Sequence, residues 1–160
     1  MPILVLRQKQ GSKQGISLPQ ERRFVRPRKQ LVETLRKKGI EDVRVLNAIE
    51  KIPRHKLIDT ALHSKAYNDT ALPIGMGQTI SQPFTVAAQT ELLAIEKGDK
   101  ILEIGTGSGY QCMVLCELGA NVYSVERHND LYHKAKEVLR EFGYRAMLKV
   151  GDGTLGWSTY

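Results

Sequence analysis

Three acidic residues and three glycines carry the most legible chemistry in this sequence. Glu103 precedes Gly105, Gly107 and Gly109 within Ile101-Leu-Glu-Ile-Gly-Thr-Gly-Ser-Gly109, Glu126 follows in Val122-Tyr-Ser-Val-Glu-Arg127, and Asp152 stands in Gly151-Asp-Gly153. A dinucleotide fingerprint spaces its glycines G-x-G-x-x-G and sets a pyrophosphate on a helix N-terminus. Here residue 110 is Tyr, and the third glycine falls one place early. The phosphate reading weakens accordingly. Glycines at this spacing let the backbone approach a ligand that lacks phosphate, while Glu103 would repel a pyrophosphate and attract an ammonium. Glu126 at a strand tip can accept hydrogen bonds from both ribose hydroxyls, and Asp152 at the next tip can accept from an adenine amino group. S-adenosylmethionine, which carries an ammonium and a sulfonium, matches those charges. Gly105, Thr106, Gly107, Arg127 and Gly153 lie in the same motifs and join the candidate cofactor-binding set. Taken singly, each acid reads equally as a loop carboxylate or a helix cap. Three acids at successive strand tips instead define one site, because ligands of open α/β sheets bind at the carboxyl ends of the strands.

The elements that must position these residues alternate. Strands are expected over 101–104, 122–125 and 146–150, with helices over about 109–118 and 130–142 between them. Such strand-helix-strand repeats imply a parallel sheet. Upstream, Pro27 is expected to open a helix stopped at Gly39, and a second helix over 41–51 carries Val45, Leu46, Ile49 and Ile52 at helical spacing before Pro53 ends it. Residues 66–83 contain two glycines and two prolines inside a non-helical run and read as a long structured loop; loops of this length in compact domains are commonly functional. Pro83 then opens a third helix. The organisation expected is a flexible basic extension over 1–23, a helical cap with a substrate and cofactor loop over 24–82, and the first part of a Rossmann-like domain over 83–160.

The net charge of +7 is uneven. Residues 1–56 carry fifteen Lys and Arg against five Asp and Glu, a net +10; the remainder carries nine against twelve, a net −3. A basic segment can bind phosphates, which motivates a rival reading as a nucleic-acid-binding module or a nucleic-acid methyltransferase. Only Phe24 in that segment could stack on a base, so the nucleic-acid partner is disfavoured. No run approaches the ~20 apolar residues of a membrane span, and a cytoplasmic location is expected. Cys112 and Cys116 lack companions at zinc-ligand spacing and read as reduced packing thiols; no metal is expected. His55, His63, His128 and His133 share no spacing suggestive of a triad. Asp69 reads as a carboxylate that orders the loop.

Ala66-Tyr-x-Asp69, Leu72-Pro-Ile-Gly-x-Gly-Gln-Thr-Ile-Ser-Gln-Pro83, Leu102-Glu-Ile-Gly-Thr-Gly-Ser-Gly-Tyr110, Val122-Tyr-Ser-Val-Glu-Arg127 and Val150-Gly-Asp-Gly-Thr154 closely resemble the protein-L-isoaspartate O-methyltransferases. The resemblance spans roughly residues 27–160 and rests mainly on the Gly-Gln-Thr-Ile-Ser-Gln-Pro loop; Ile52-Pro-Arg-His-Lys-Leu57 adds a less specific match. It implies an α/β class I S-adenosylmethionine-dependent methyltransferase fold, a doubly wound parallel sheet with an N-terminal helical cap. It also implies methyl transfer to the free carboxylate of L-isoaspartyl or D-aspartyl residues in damaged proteins, with collapse of the ester to a succinimide as the start of repair. The serine matching Ser81 is the family's designated active-site residue, Gln78, Thr79 and Ile80 lie with it against cofactor and substrate, and residues matching Gly105, Glu126 and Asp152 hold the cofactor. On chemistry alone, Ser81 and Thr79 could each donate a hydrogen bond to the reacting carboxylate, but without the resemblance Ser81 reads first as a cap for the helix opened by Gln82-Pro83.

The family fold has a seven-stranded sheet, and only three of its strands are expected in this chain. The first, Ile101–Ile104, is then left as an apolar edge, and such an edge invites association. The chain is therefore expected to bind cofactor poorly, to be largely inactive alone, and to self-associate.

Overall fold

A computed structural model describes residues 18–157 of the 160. The chain runs α1 (Leu18–Lys37), α2 (Val43–Lys51), β1 (Leu72–Gly75), β2 (Gln78–Ile80), α3 (Pro83–Leu92), β3 (Lys100–Ile104), α4 (Tyr110–Glu117), β4 (Asn121–Glu126), α5 (Asn129–Glu141) and β5 (Met147–Val150). Short 3₁₀ turns cover Arg54–Leu57, Thr60–Lys65 and Gly153–Leu155. Strands β3, β4 and β5 pair in parallel in that order, with Leu102 opposite Tyr123 and Val125 opposite Lys149. Central β4 is buried from Val122 through Glu126, as a strand covered on both faces must be. The expected alternation holds, and each strand lies within a residue of its sequence reading.

Helix α2 begins where the Asp42 side chain accepts from the Arg44 N–H, and it stops at Ile52 ahead of Pro53. Its buried face, Val45, Leu46, Ala48 and Ile49, meets Leu31 and Leu35 of α1 and joins Cys112 through Leu115 of α4 in one core. Burying a side chain such as Leu46 is worth roughly 1.5–3 kcal/mol, so the N-terminal helices are fastened to the sheet domain by packing. Among the described residues, no helix is long and apolar enough to cross a membrane.

Two expectations change. The first helix starts at Leu18 rather than Pro27, and Pro27 lies inside it. Proline removes one helical hydrogen bond, yet Phe24, one turn earlier, is buried and stacks on His55 with ring centroids 3.9 Å apart, which holds the upstream turns in place. The part of the expected extension at 18–23 is thus helical, while 1–17 lies outside the described residues. Second, the run at 66–83 contains a hairpin. Strands β1 and β2 are antiparallel, with Leu72 opposite Ile80, and both Met76 and Gly77 adopt positive φ at its tip. Two positive-φ residues suit the twist of a tight hairpin, but with Met at one of them the usual glycine and asparagine signal is weak.

Candidate functional site

The site forms where the hairpin meets the carboxyl ends of β3, β4 and β5. After β3 the chain turns at Gly105, whose φ is +90° and whose missing Cβ would face open space. Glycine is thus required there by conformation rather than by crowding. The Gly105 N–H donates to Val125 O at 2.8 Å, carrying the strand pairing into the loop. Glu126 ties the loop further: its Oε2 accepts the Gly107 N–H at 2.8 Å and its Oε1 accepts the His128 N–H at 2.9 Å. Each oxygen keeps acceptor capacity for a ligand hydroxyl. Asp152 Oδ1 accepts from the Thr154 N–H and hydroxyl at 2.9 and 2.8 Å, and those bonds hold its carboxyl below the usual carboxylate range. It therefore caps the last 3₁₀ turn and also lines the cavity. Gly153 is needed for close approach, since a Cβ there would lie 2.3 Å from Ile104 Cγ2.

From the other side, alternation along β2 buries Ile80 and leaves Thr79 and the following Ser81 exposed. Ser81 is not the cap of α3. The N-cap position is Gln82, without a side-chain cap bond, and the Phe84 N–H is accepted by Asp69 Oδ1 at 2.7 Å instead. Lys38 Nζ and Gln82 Nε2 donate to Asp69 Oδ2 at 2.5 and 3.2 Å. Burial works to raise the Asp69 carboxyl, and these bonds outweigh it and hold the group below its ordinary value. Asp69 orders the loop as expected, and the Ser81 hydroxyl is released from the capping role.

Nine candidate residues line one cavity of about 750 Å³: Gln78, Thr79, Ser81, Gly105, Gly107, Glu126, Arg127, Asp152 and Gly153. Three do not. Ile80 is spent in the core, and Thr106 is buried with its hydroxyl 2.6 Å from Ser124 Oγ. Glu103, expected to attract an ammonium, is buried, accepts from Ser124 Oγ at 2.5 Å, and lines an adjoining hollow along β3 that shares Ser81, Ile104 and Gly105 with the cavity but not Glu126 or Asp152. Burial pushes its carboxyl up to about 8, with Ser124 opposing and Glu126 adding to the rise. A carboxyl neutral at pH 7 supplies no charge to attract a cation. Sequence reasoning missed Ile104, Val125, Leu131 and Thr154 in the cavity wall. The residues flanking each strand-tip motif were the available signal.

A cavity with open backbone at Gly105, spare acceptors on Glu126 and Asp152, and hydroxyls at Thr79 and Ser81 suits a nucleoside-like ligand presented to a second, acidic one. The family model of protein-L-isoaspartate(D-aspartate) O-methyltransferase matches residues 26–160. The chain belongs to this family. Similar members include protein-L-isoaspartate O-methyltransferases of Salinibacter ruber, 55% identical over 140 residues, and of Christiangramia forsetii, 57% identical over 134. These alignments cover 88% and 83% of this chain and 61% and 63% of those proteins, so the chain spans about three-fifths of the curated relatives' length. A solved protein-L-isoaspartate O-methyltransferase superposes with a TM-score of 0.71 at 30% identity, over 79% of this chain and 42% of that one. The Plasmodium falciparum beta-aspartate methyltransferase in complex with S-adenosyl-L-homocysteine does so with a TM-score of 0.63 at 27% identity, over 78% of this chain and 62% of that one. The fold is accordingly that part of a class I methyltransferase, and the nucleic-acid reading draws no support from these likenesses.

Proposed function

We propose that the chain carries the cofactor and catalytic-loop portion of an enzyme that methylates the free carboxylate of L-isoaspartyl or D-aspartyl residues in damaged proteins. The observation that carries this reading is the convergence of Thr79 and Ser81 with Gly105, Glu126 and Asp152 on one cavity. S-adenosylmethionine, when bound, supplies a methyl group already activated on a sulfonium. Gly105, Gly107, Glu126, Asp152 and Gly153 would hold it, with Arg127 at the rim.

The remaining work falls to the loop. A substrate carboxylate has a reference pKa of about 4, so it is ionised at neutral pH and needs no general base. Ser81 and Thr79 donate hydrogen bonds that orient one carboxylate oxygen and replace its water, and orientation can be worth on the order of 7–11 kcal/mol in favourable cases. A hydrogen bond to a charged group contributes about 1.5–3 kcal/mol, so Ser81→Ala should lower kcat/KM for an isoaspartyl peptide by about 10- to 100-fold. The test measures methyl transfer to an isoaspartyl peptide and to its aspartyl counterpart by this chain extended to the length of its curated relatives, with Ser81 and with Ser81→Ala. Equal rates on the two peptides, or a Ser81→Ala variant as fast as wild type, would sink the reading.

A further inference from the structure

Arg54 is fully buried although it carries a charge. Its guanidinium donates to three backbone carbonyls, Nε to Ala66, Nη2 to Thr70 and Nη1 to Ser81, each at 2.9 Å. The carbonyls lie 12, 16 and 27 residues along the chain, at the end of a 3₁₀ turn, before β1, and between β2 and α3. On its remaining face the guanidinium carbon sits 4.7 Å from the ring centroid of Tyr110, the residue that opens α4 directly after the glycine loop. One side chain therefore touches both halves of the site.

We propose that Arg54 is a positioning residue that sets Ser81 against the strand tips, holding the backbone of 66–82 in one arrangement over α4. For what Ser81 does, this rests on the proposed methyl transfer. Three physical points support it. Arg54 bonds no carboxylate among the described residues, and burying a charge against neutral carbonyls costs more than burying an apolar side chain of the same volume. Stability alone is thus poorly served by an arginine here. A guanidinium presents donors in a rigid planar fork that reaches three divergent acceptors together, whereas an ammonium is a point charge on a flexible stem. Finally, the Ser81 carbonyl is drawn inward to Arg54 while the same residue lines the cavity, so the clamp sets where its side chain stands.

The test compares wild type with Arg54→Lys and Arg54→Gln in the full 160-residue chain. Amide hydrogen exchange is followed at Phe84 and Val86, beside the clamped segment, and at Val122–Val125 in β4. Affinity for S-adenosyl-L-homocysteine and methyl transfer to an isoaspartyl peptide are measured on the same samples. Losing one or more of these hydrogen bonds should speed exchange beside the loop by about tenfold, with β4 unchanged. A displacement on the order of 1 Å can cost about 100-fold in rate, so kcat should fall by that order while affinity for S-adenosyl-L-homocysteine stays close to wild type. Wild-type exchange beside the loop in Arg54→Lys, or an undiminished kcat, would overturn the proposal. Equal acceleration of β4 in both variants would also overturn it, because Arg54 would then be a general structural residue. Should wild type bind S-adenosyl-L-homocysteine yet transfer no methyl group, the outcome expected of a chain that spans about three-fifths of its relatives' length, the exchange and affinity data decide the role of Arg54, and the methyl-transfer reading is decided separately on the chain extended to its relatives' length.

Discussion

Helix α2 buries four of its nine residues, whereas strand β3 leaves Leu102 and Ile104 46% and 56% exposed at the edge of its sheet. The cap that contains α2 and the sheet edge that contains β3 are held differently. The cap and loop are closed by side chains that reach across the chain, Asp69 to the start of α3 and Phe24 to His55. The strand tips are fixed mainly by pairing with β4 and by Glu126. The contrast shows why the two halves respond to different perturbations.

The sharpest separation should come from pH. Glu103 in the sheet ionises near 8 when folded against 4.5 as a reference, so the unfolded chain releases its proton first. Stability therefore falls as pH rises from 4.5 to 8, by on the order of 5 kcal/mol in total, and Glu103→Gln should flatten that slope in a urea-denaturation series. His55 in the cap behaves in the opposite sense. Burial lowers its imidazole to about 4 from 6.5, with Glu21 opposing, so stability should fall as pH drops from 6.5 toward 4. His55→Gln should remove that acid-side slope and leave the base side alone. If both slopes vanished in one variant, the regions would not be separable.

Core substitution should produce the next effect. Leu46→Ala, in the closed cap, should cost about 2–5 kcal/mol in chemical denaturation. At the open edge, Leu102→Ser should change stability by about 0.5 kcal/mol or less, and if the wild-type chain self-associates in light scattering, the variant should do so less, since a polar residue blunts an apolar edge. Comparable costs at the two positions would break the distinction.

Much of this arrangement was legible in the residues. The glycine spacing after 101–104, the helical period of Val45, Leu46 and Ile49, and the stop at Pro53 are local patterns, and the elements follow them. Six of the nine candidate positions on the cavity, Gly105, Gly107, Glu126, Arg127, Asp152 and Gly153, meet because strand tips in a parallel sheet converge, while Gln78, Thr79 and Ser81 reach it from the hairpin. The exceptions are non-local. Glu103 reads as a cation-binding acid until its burial beside Ser124 makes the neutral form the stable one. Ser81 reads as a helix cap until Asp69 takes that role from another segment. Arg54 gives no periodic or motif-level signal of its three carbonyl partners.

The sequence by itself determined the alternating strand and helix order, the acidic and glycine positions at the tips, and the loop that marks the family, since each depends on neighbours a few residues apart. Tertiary structure alone decided that burial raises the Glu103 carboxyl, which side chain caps α3, that Phe24 draws α1 back through Pro27, and that one buried arginine faces both halves of the site. Desolvation and the meeting of distant backbone segments depend on the whole packed chain, and no local pattern encodes them.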